Sequence, residues 1–207
     1  MKFFVNIYVI LAVFCVGVDV KRKVQLSVFY ESACSDSKNF ILKQLHPTIH
    51  KLEDYIDLQL IPFGKASSIN NGGDGFECQH GPPECFGNLI QDCTLNEMKS
   101  YSDVHKVEYL ACEMETMAST RGDIQCIVKS NVPHDPVREC VYLGPGTLLQ
   151  LDSERLTKLV NPKFIPTIVL DGVFDQATQN KAFNDLMGTI CDRLRNVKPC
   201  KEYFRNK

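Results

Sequence analysis

The sequence has no excess of either charge. With 23 Lys and Arg against 25 Asp and Glu, its formal net charge of -2 provides no basic face for nucleic acid and no acidic field. There is no internal repeat and no low-complexity tract. No Asn-x-Ser/Thr acceptor for N-linked sugar occurs. Only one long apolar run exists, Phe3 to Val18 broken by Asn6, so no later segment can span a bilayer. What remains is a chain of 207 residues, 44% hydrophobic and 23% charged, the composition and size of one globular domain.

The apolar run follows Met1-Lys2 and precedes Asp19 and Lys21-Arg22-Lys23, the arrangement of a secretory leader. It falls short of the roughly 20 apolar residues a membrane anchor needs. The expectation is a signal peptide over residues 1–19, cut near Gly17, and a single domain over residues 20–207 in an oxidising lumen or outside the cell. Loss of Cys15 with the leader leaves cysteines at 34, 78, 85, 93, 112, 126, 140, 191 and 200, an odd number. Cys34 stands apart from the others and is the expected free thiol. Cys78, Cys85, Cys93, Cys112, Cys126, Cys140, Cys191 and Cys200 are the candidates for structural bridges, with connectivity open.

Val24 to Tyr30 is rich in β-branched and aromatic residues and predicts a buried strand. Ile41, Leu45, Ile49 and Leu52 then mark one face of a helix that Pro47 should bend or break, and Ile56 to Ile61 alternates as a second strand. Gly64 to Gly75 reads as a long surface loop. Thr94-Leu-Asn-Glu97 has capping-box spacing ahead of the apolar stripe Val104, Val107, Ala111, Met114 and Met117. A short helix near Glu139 to Leu143 should stop at Gly144-Pro145-Gly146, with another from Ser153 to Val160. Thr167 to Leu170 followed by Asp171-Gly172 predicts an antiparallel hairpin, and Phe183, Leu186, Met187, Ile190 and Leu194 a final helix. The order is α/β: a thioredoxin-like fold with a cysteine-rich, mostly helical insertion, about 65–160, between the second and third strands.

Cys34 falls where the first strand meets the first helix, within Cys34-Ser-Asp-Ser37. A helix start offers unpaired N–H groups and partial positive charge to a thiolate, Asp36 opposes that charge, Lys38 supports it, and Ser37 can donate a hydrogen bond to it. His46, His50, His105 and His134 show no spacing that suggests metal ligands or a protease base. A zinc site built from Cys78, His80, Cys85 and Cys93 is disfavoured by an oxidising compartment, and thiol exchange requires no metal or cofactor.

The run from Cys78 through Gln79, His80, Gly81, Glu84, Cys85 and Asn88 to Cys93 resembles the signature of the gamma-interferon-inducible lysosomal thiol reductase family, CQHGxxECxxNxxxxC, at every fixed position. The resemblance extends over the whole mature chain. It implies a reductase of protein disulfides, active at acidic pH in secretory or lysosomal compartments, with a link to immunity and a Cys-x-x-Cys pair on the first helix. It also implies a cis proline at Pro166, with Ile165 pairing with substrate opposite the reactive thiol. Here Ser37 replaces the second, resolving cysteine. Two readings follow: a monothiol oxidoreductase acting through Cys34 on disulfide-containing proteins or peptides, with a small external thiol or the substrate's own thiol resolving the adduct, or an impaired relative that binds peptides or partner proteins in host defence.

Overall fold

The computed structural model describes residues 23–207; the expected leader at 1–19 and its cleavage point lie outside them. Strand β1 (Val24–Tyr30) runs parallel to β2 (Ile56–Pro62), with Val24 beside Ile56 and Tyr30 beside Pro62. Between them a continuous helical stretch comprises α1 (Ser35–Phe40), a π-helical turn at Ile41–Leu45 and α2 (His46–Leu52). Pro47 does not break the helix. The widened turn, in which the His46 N–H reaches the Ile41 carbonyl, absorbs the proline's missing donor and ring. Ile41, Leu45, Ile49 and Leu52 are all buried against β1, as their spacing requires.

The expected glycine-rich surface loop is present and is pinned by a small antiparallel pair, β3 (Ser67–Ser68) within it and β4 (Phe76–Glu77) just after it. The insertion continues with α3 (Pro82–Glu97), α4 (Asp103–Thr116), α5 (Gln125–Lys129), α6 (His134–Tyr142) and α7 (Pro145–Val160). Thr94 to Glu97 is not a helix start but the last turn of α3. Thr94 bonds its hydroxyl to the Ile90 carbonyl one turn back at 2.8 Å, and Ser102 caps α4 instead. Gly144-Pro145 both ends α6 and begins α7, since proline fits the first helical turn. Gly146 lies beneath the Cys93–Cys140 bridge, where an added Cβ would come within 2.9 Å of Cys93 Sγ. These helices enclose a core of their own around Ile90, Tyr109, Ile127 and Val137, with Cys93–Cys140 and Cys112–Cys126 inside it.

Strand β5 (Thr167–Leu170) returns antiparallel to β1, Phe29 opposite Thr167, and completes the sheet order β2-β1-β5. The hairpin partner expected after Asp171-Gly172 is reduced to a single bridge from Leu170 to Val173. The expected final helix is two, α8 (Gln176–Asn184) and α9 (Leu186–Cys191), because Asp185 leaves the helix and caps α9 through Gly188 N–H at 2.8 Å. Helix α10 (Lys198–Arg205) is tied to α9 by Cys191–Cys200. Among the described residues no helix is long and apolar enough to cross a membrane.

Candidate active site

The register of the sheet creates the site. β1 ends at Tyr30 and β5 begins at Thr167, opposite Phe29, so the segment after β1 and the segment before β5 meet at one sheet end. Cys34 comes from the first, as the residue capping α1; its carbonyl accepts the Lys38 N–H at 3.0 Å. Ile165 and Pro166 come from the second, joined by a cis peptide bond. Cys34 Sγ lies 3.9 Å from the Ile165 carbonyl oxygen. Cys34 is half-buried and is the one free cysteine among the described residues, the other eight being paired as Cys78–Cys85, Cys93–Cys140, Cys112–Cys126 and Cys191–Cys200.

Ser37 is fully buried, and its Oγ accepts the Glu31 N–H at 3.3 Å. No hydrogen bond joins it to Cys34 among the described residues, so the expected donation to the thiolate is not formed. The Lys38 ammonium, expected to support the thiolate, instead donates to the Glu115 carbonyl at 3.3 Å, at the end of α4. Asp36 is exposed and lines a groove of about 300 Å³ with Phe164, Ile165, Pro166, Asn180 and Phe183. The floor of this groove is held by Gln179, a residue the sequence did not single out. Its buried amide donates to the Pro166 carbonyl at 3.2 Å and accepts the Ile168 N–H at 2.7 Å, fixing the backbone on both sides of Thr167.

The cysteine-rich signature is built around the segment leading into Cys34. Gly81, with φ of 81°, turns the chain into α3 and Pro82 starts the helix. Glu84 is fully buried; it accepts the His80 backbone N–H at 3.1 Å and meets His80 Nδ1 at 2.5 Å. The Glu84 carbonyl accepts the Ser32 hydroxyl at 3.0 Å, and Asn88 Oδ1 accepts the Ser32 N–H at 2.9 Å. Gly87 lets α3 approach closely, since a Cβ there would fall 2.5 Å from Ser32 Oγ. Glu31, also fully buried, accepts the Lys65 N–H at 2.8 Å, while its other oxygen stands 3.5 Å from His80 Nδ1 with no hydrogen bond. Burial pushes the Glu31 carboxyl above its ordinary range; the Lys65 N–H opposes this and the neighbouring Glu84 adds to it. Of the signature residues, His80, Glu84 and Asn88 converge here and Cys78–Cys85 closes the loop that carries His80. Gln79 is exposed, and Cys93 serves the core of the insertion.

Among the described residues, two groups bring three metal-capable atoms within 4.8 Å of one another: Glu31, His80 and Glu84, and His46, His50 and Glu108. The second group corrects the reading of the histidine spacing, because positions four apart on α2 share a face and α4 supplies the carboxylate. A zinc site from Cys78, His80, Cys85 and Cys93 is ruled out by the pairing of those cysteines with Cys85, Cys78 and Cys140.

Comparison with known proteins bears on the family and the fold. Residues 25–133 match the family model described as gamma interferon inducible lysosomal thiol reductase. The chain is 29% identical over 195 residues to GILT-like protein 1 of Drosophila melanogaster, covering 86% of this chain and 77% of that protein. It is 30% identical over 182 residues to the gamma-interferon-inducible lysosomal thiol reductase of Carassius auratus, covering 85% and 70%. Among solved structures, oxidised BdbD of Bacillus subtilis superimposes with a TM-score of 0.53 at 14% identity, over 86% of this chain and 88% of that one. A thioredoxin-like oxidoreductase from Silicibacter pomeroyi does so with a TM-score of 0.52 at 10% identity, over 86% and 90%. These two share the fold. The match of residues 25–133 to the family model and the 30% identity to the Carassius auratus protein over 70% of its length place the chain in the gamma-interferon-inducible lysosomal thiol reductase family.

Proposed function

We propose that the protein is a monothiol thiol–disulfide oxidoreductase of the secretory or endolysosomal lumen, acting on disulfides of proteins or peptides with Cys34 as its sole nucleophile. The observation that carries this reading is the placement of Cys34, the one free thiol among the described residues, half-buried and 3.9 Å from the carbonyl of Ile165, which lines a groove. The Cys34 thiolate attacks one sulfur of the substrate disulfide; a Cys34–substrate disulfide forms and the other substrate sulfur leaves as a thiolate. Ser37 cannot complete a reduction, since a hydroxyl forms no disulfide. The adduct is released in one of two ways. A further cysteine thiolate of the substrate attacks the sulfur bonded to Cys34, giving a rearranged substrate disulfide and free Cys34, with the thiol released first left reduced. Alternatively, an external thiolate attacks Cys34 Sγ, releasing reduced substrate, and a second external thiol then frees Cys34 and leaves as the mixed or symmetrical external disulfide.

Extended substrate backbone would pair with Ile165, whose position Gln179 fixes through Pro166 and Ile168. His80, Glu84 and Asn88 would act through Glu31 and Ser32, holding the turn that presents Cys34, with no contact to the reacting sulfurs. Four disulfides suit an oxidising lumen, and the leader at 1–19 with a single domain over 20–207 is the matching organisation. The burial of Ser37 favours a second reading, a peptide-binding relative in host defence that uses the same groove without turnover.

Intact-mass spectrometry after reaction with a disulfide-linked peptide, at pH 5 and pH 7 beside Cys34→Ala, separates the two. The expected result is one adduct on Cys34, released by added small thiol and absent from the variant. A folded protein that forms no adduct at either pH would leave only the binding reading.

A further inference from the structure

We propose that His46, His50 and Glu108 form a site for a borderline divalent cation, Zn²⁺ foremost, that links the helix following Cys34 to the helical insertion. His46 and His50 stand one turn apart on α2, and both use Nε2 toward the same oxygen of Glu108 on α4, at 3.2 and 2.7 Å. Their ring centres are 4.5 Å apart. An ordinary hydrogen-bonded cluster can spread two imidazole donors over the two oxygens of a carboxylate. Here both ring nitrogens converge on one carboxylate oxygen, and the three ligand atoms lie within 4.8 Å of one another, close enough for a single cation to collect them.

The distances suit a cation of this class. A tetrahedral centre with bonds of roughly 2.0–2.1 Å to nitrogen and oxygen separates its ligand atoms by about 3.3 Å. The His46 pair already has that spacing, and the His50 pair needs to open by roughly half an ångström. Glu108 can move that far because its side chain is 52% exposed. The histidine side chains are 30% and 38% exposed, so water can reach the centre and take the fourth position. Two imidazoles and one carboxylate select zinc, and related metals such as copper or nickel, over calcium or magnesium, which prefer an all-oxygen set. Two imidazoles four residues apart on a helix are a recurrent zinc-binding arrangement, for the same geometric reason.

The other cluster, Glu31, His80 and Glu84, is a weaker candidate. Its Glu84 oxygens are already taken by the His80 ring and backbone, and one Glu31 oxygen by Lys65. At the open site, a bound cation would join α2 to α4 by coordinate bonds, adding a reversible cross-link between the redox helix and the insertion where no disulfide runs. The thiol chemistry at Cys34 would not require it.

The test is calorimetric titration of the untagged, chelator-treated protein, its disulfides intact, with Zn²⁺ at neutral pH. The expected result is one equivalent bound, with a rise in thermal midpoint on adding Zn²⁺. His46→Ala, His50→Ala and Glu108→Gln should each weaken binding by roughly tenfold or more. Cys34→Ala and His80→Ala should leave it unchanged, which separates this site from the free thiol and from the buried cluster. Circular dichroism confirms that each variant is folded, and His50→Gln serves if the alanine variant is not. Co²⁺ in place of Zn²⁺ should give the intense visible bands of a four-coordinate centre. The proposal is overturned if no saturable equivalent binds, if His50→Ala and Glu108→Gln bind as tightly as the parent, or if binding is lost in His80→Ala or Cys34→Ala.

Discussion

Ser37 Oγ accepts the Glu31 N–H at 3.3 Å, so the residue in the resolving position is committed inward, to the turn that ends β1. It is fully buried and one helical turn from Cys34. Ser37→Cys should supply the missing step while keeping the local packing, because sulfur replaces oxygen at the same branch point. Attack by a neighbouring thiol is intramolecular and gains the rate advantage of fixed proximity. With a disulfide-linked peptide and no external thiol, the wild-type adduct should persist. The variant's adduct should decay orders of magnitude faster, yielding reduced peptide and an internal disulfide between Cys34 and the introduced thiol, visible by mass. Equal adduct lifetimes in the two proteins would mean that more than the resolving sulfur has been lost.

Gly87 holds the cysteine-rich signature against the active-site turn. A Cβ at this position would lie 2.5 Å from Ser32 Oγ and 2.9 Å from Thr120 Cγ2, so Gly87→Ala must push Ser32 off the Glu84 carbonyl or lift α3. The expected destabilisation is about 1–3 kcal/mol, the usual cost of overpacking. Reaction of Cys34 with a thiol-specific reagent should change with it, because Ser32 is two residues from the nucleophile. Glycine-to-alanine exchange at Gly144, where an added Cβ meets nothing within 4 Å, provides a comparison at a position that does not touch the site, although its φ of 103° adds strain of its own. An unaltered urea midpoint and reaction rate in Gly87→Ala would refute the bracing role.

Much of this arrangement was legible in the sequence because it rests on local signals. The strand, the helix that begins beside Cys34, and the solitary thiol all followed from periodicity and cysteine parity within short windows. The groove did not, because its key contacts join distant segments. Gln179 reaches Pro166 from α8, and nothing in the polar run Gln176 to Asn180 marks one amide as buried. Nothing in the sequence distinguishes Glu31 and Ser32; their importance comes from His80, Glu84 and Asn88, some 50 residues later. The capping box at Thr94 misled for a related reason. A threonine hydroxyl can serve the carbonyl one turn back as readily as an N–H three residues on, and the continuing helix decided it.

Gln179 gives a second handle on the groove. Gln179→Leu keeps the volume and removes both bonds, leaving the Pro166 carbonyl and the Ile168 N–H buried without partners. Each orphaned group costs about 1–3 kcal/mol. Urea unfolding should therefore show a lower midpoint, and adduct formation with a peptide disulfide should slow, because the Ile165–Pro166 backbone loses its fixed position. A variant with native stability and native adduct rate would show that the cis-proline segment is held without Gln179.

Two buried carboxyls, Glu31 and Glu113, and the partly buried Asp92 set an unusual dependence of stability on pH. Burial raises Asp92 to about 6, against the hydrogen bonds it accepts from Ser153 and Gln150, and burial likewise raises Glu31 and Glu113. An acid whose folded pKa exceeds its unfolded value holds more protons in the native state, so its contribution is complete below the unfolded value, about 4, and is lost as pH rises through the folded one. For Asp92 that window runs from about 4 to 6, and the loss reaches at most about 3 kcal/mol. Glu154 and Asp185 act oppositely. Burial would raise them, but their hydrogen-bonding partners outweigh it and lower both, so they stabilise above their unfolded values and lose that support only as pH falls below about 4. The thermal midpoint should therefore be higher at pH 5 than at pH 7. Asp92→Asn, whose amide oxygen can still accept from Ser153 and Gln150, should raise the midpoint at pH 7 and flatten the slope between the two. Calorimetric scans of both proteins at pH 5, 6 and 7 decide the matter, and a midpoint that climbs from pH 5 to 7 in the parent would show that these carboxyls are ionised at little cost.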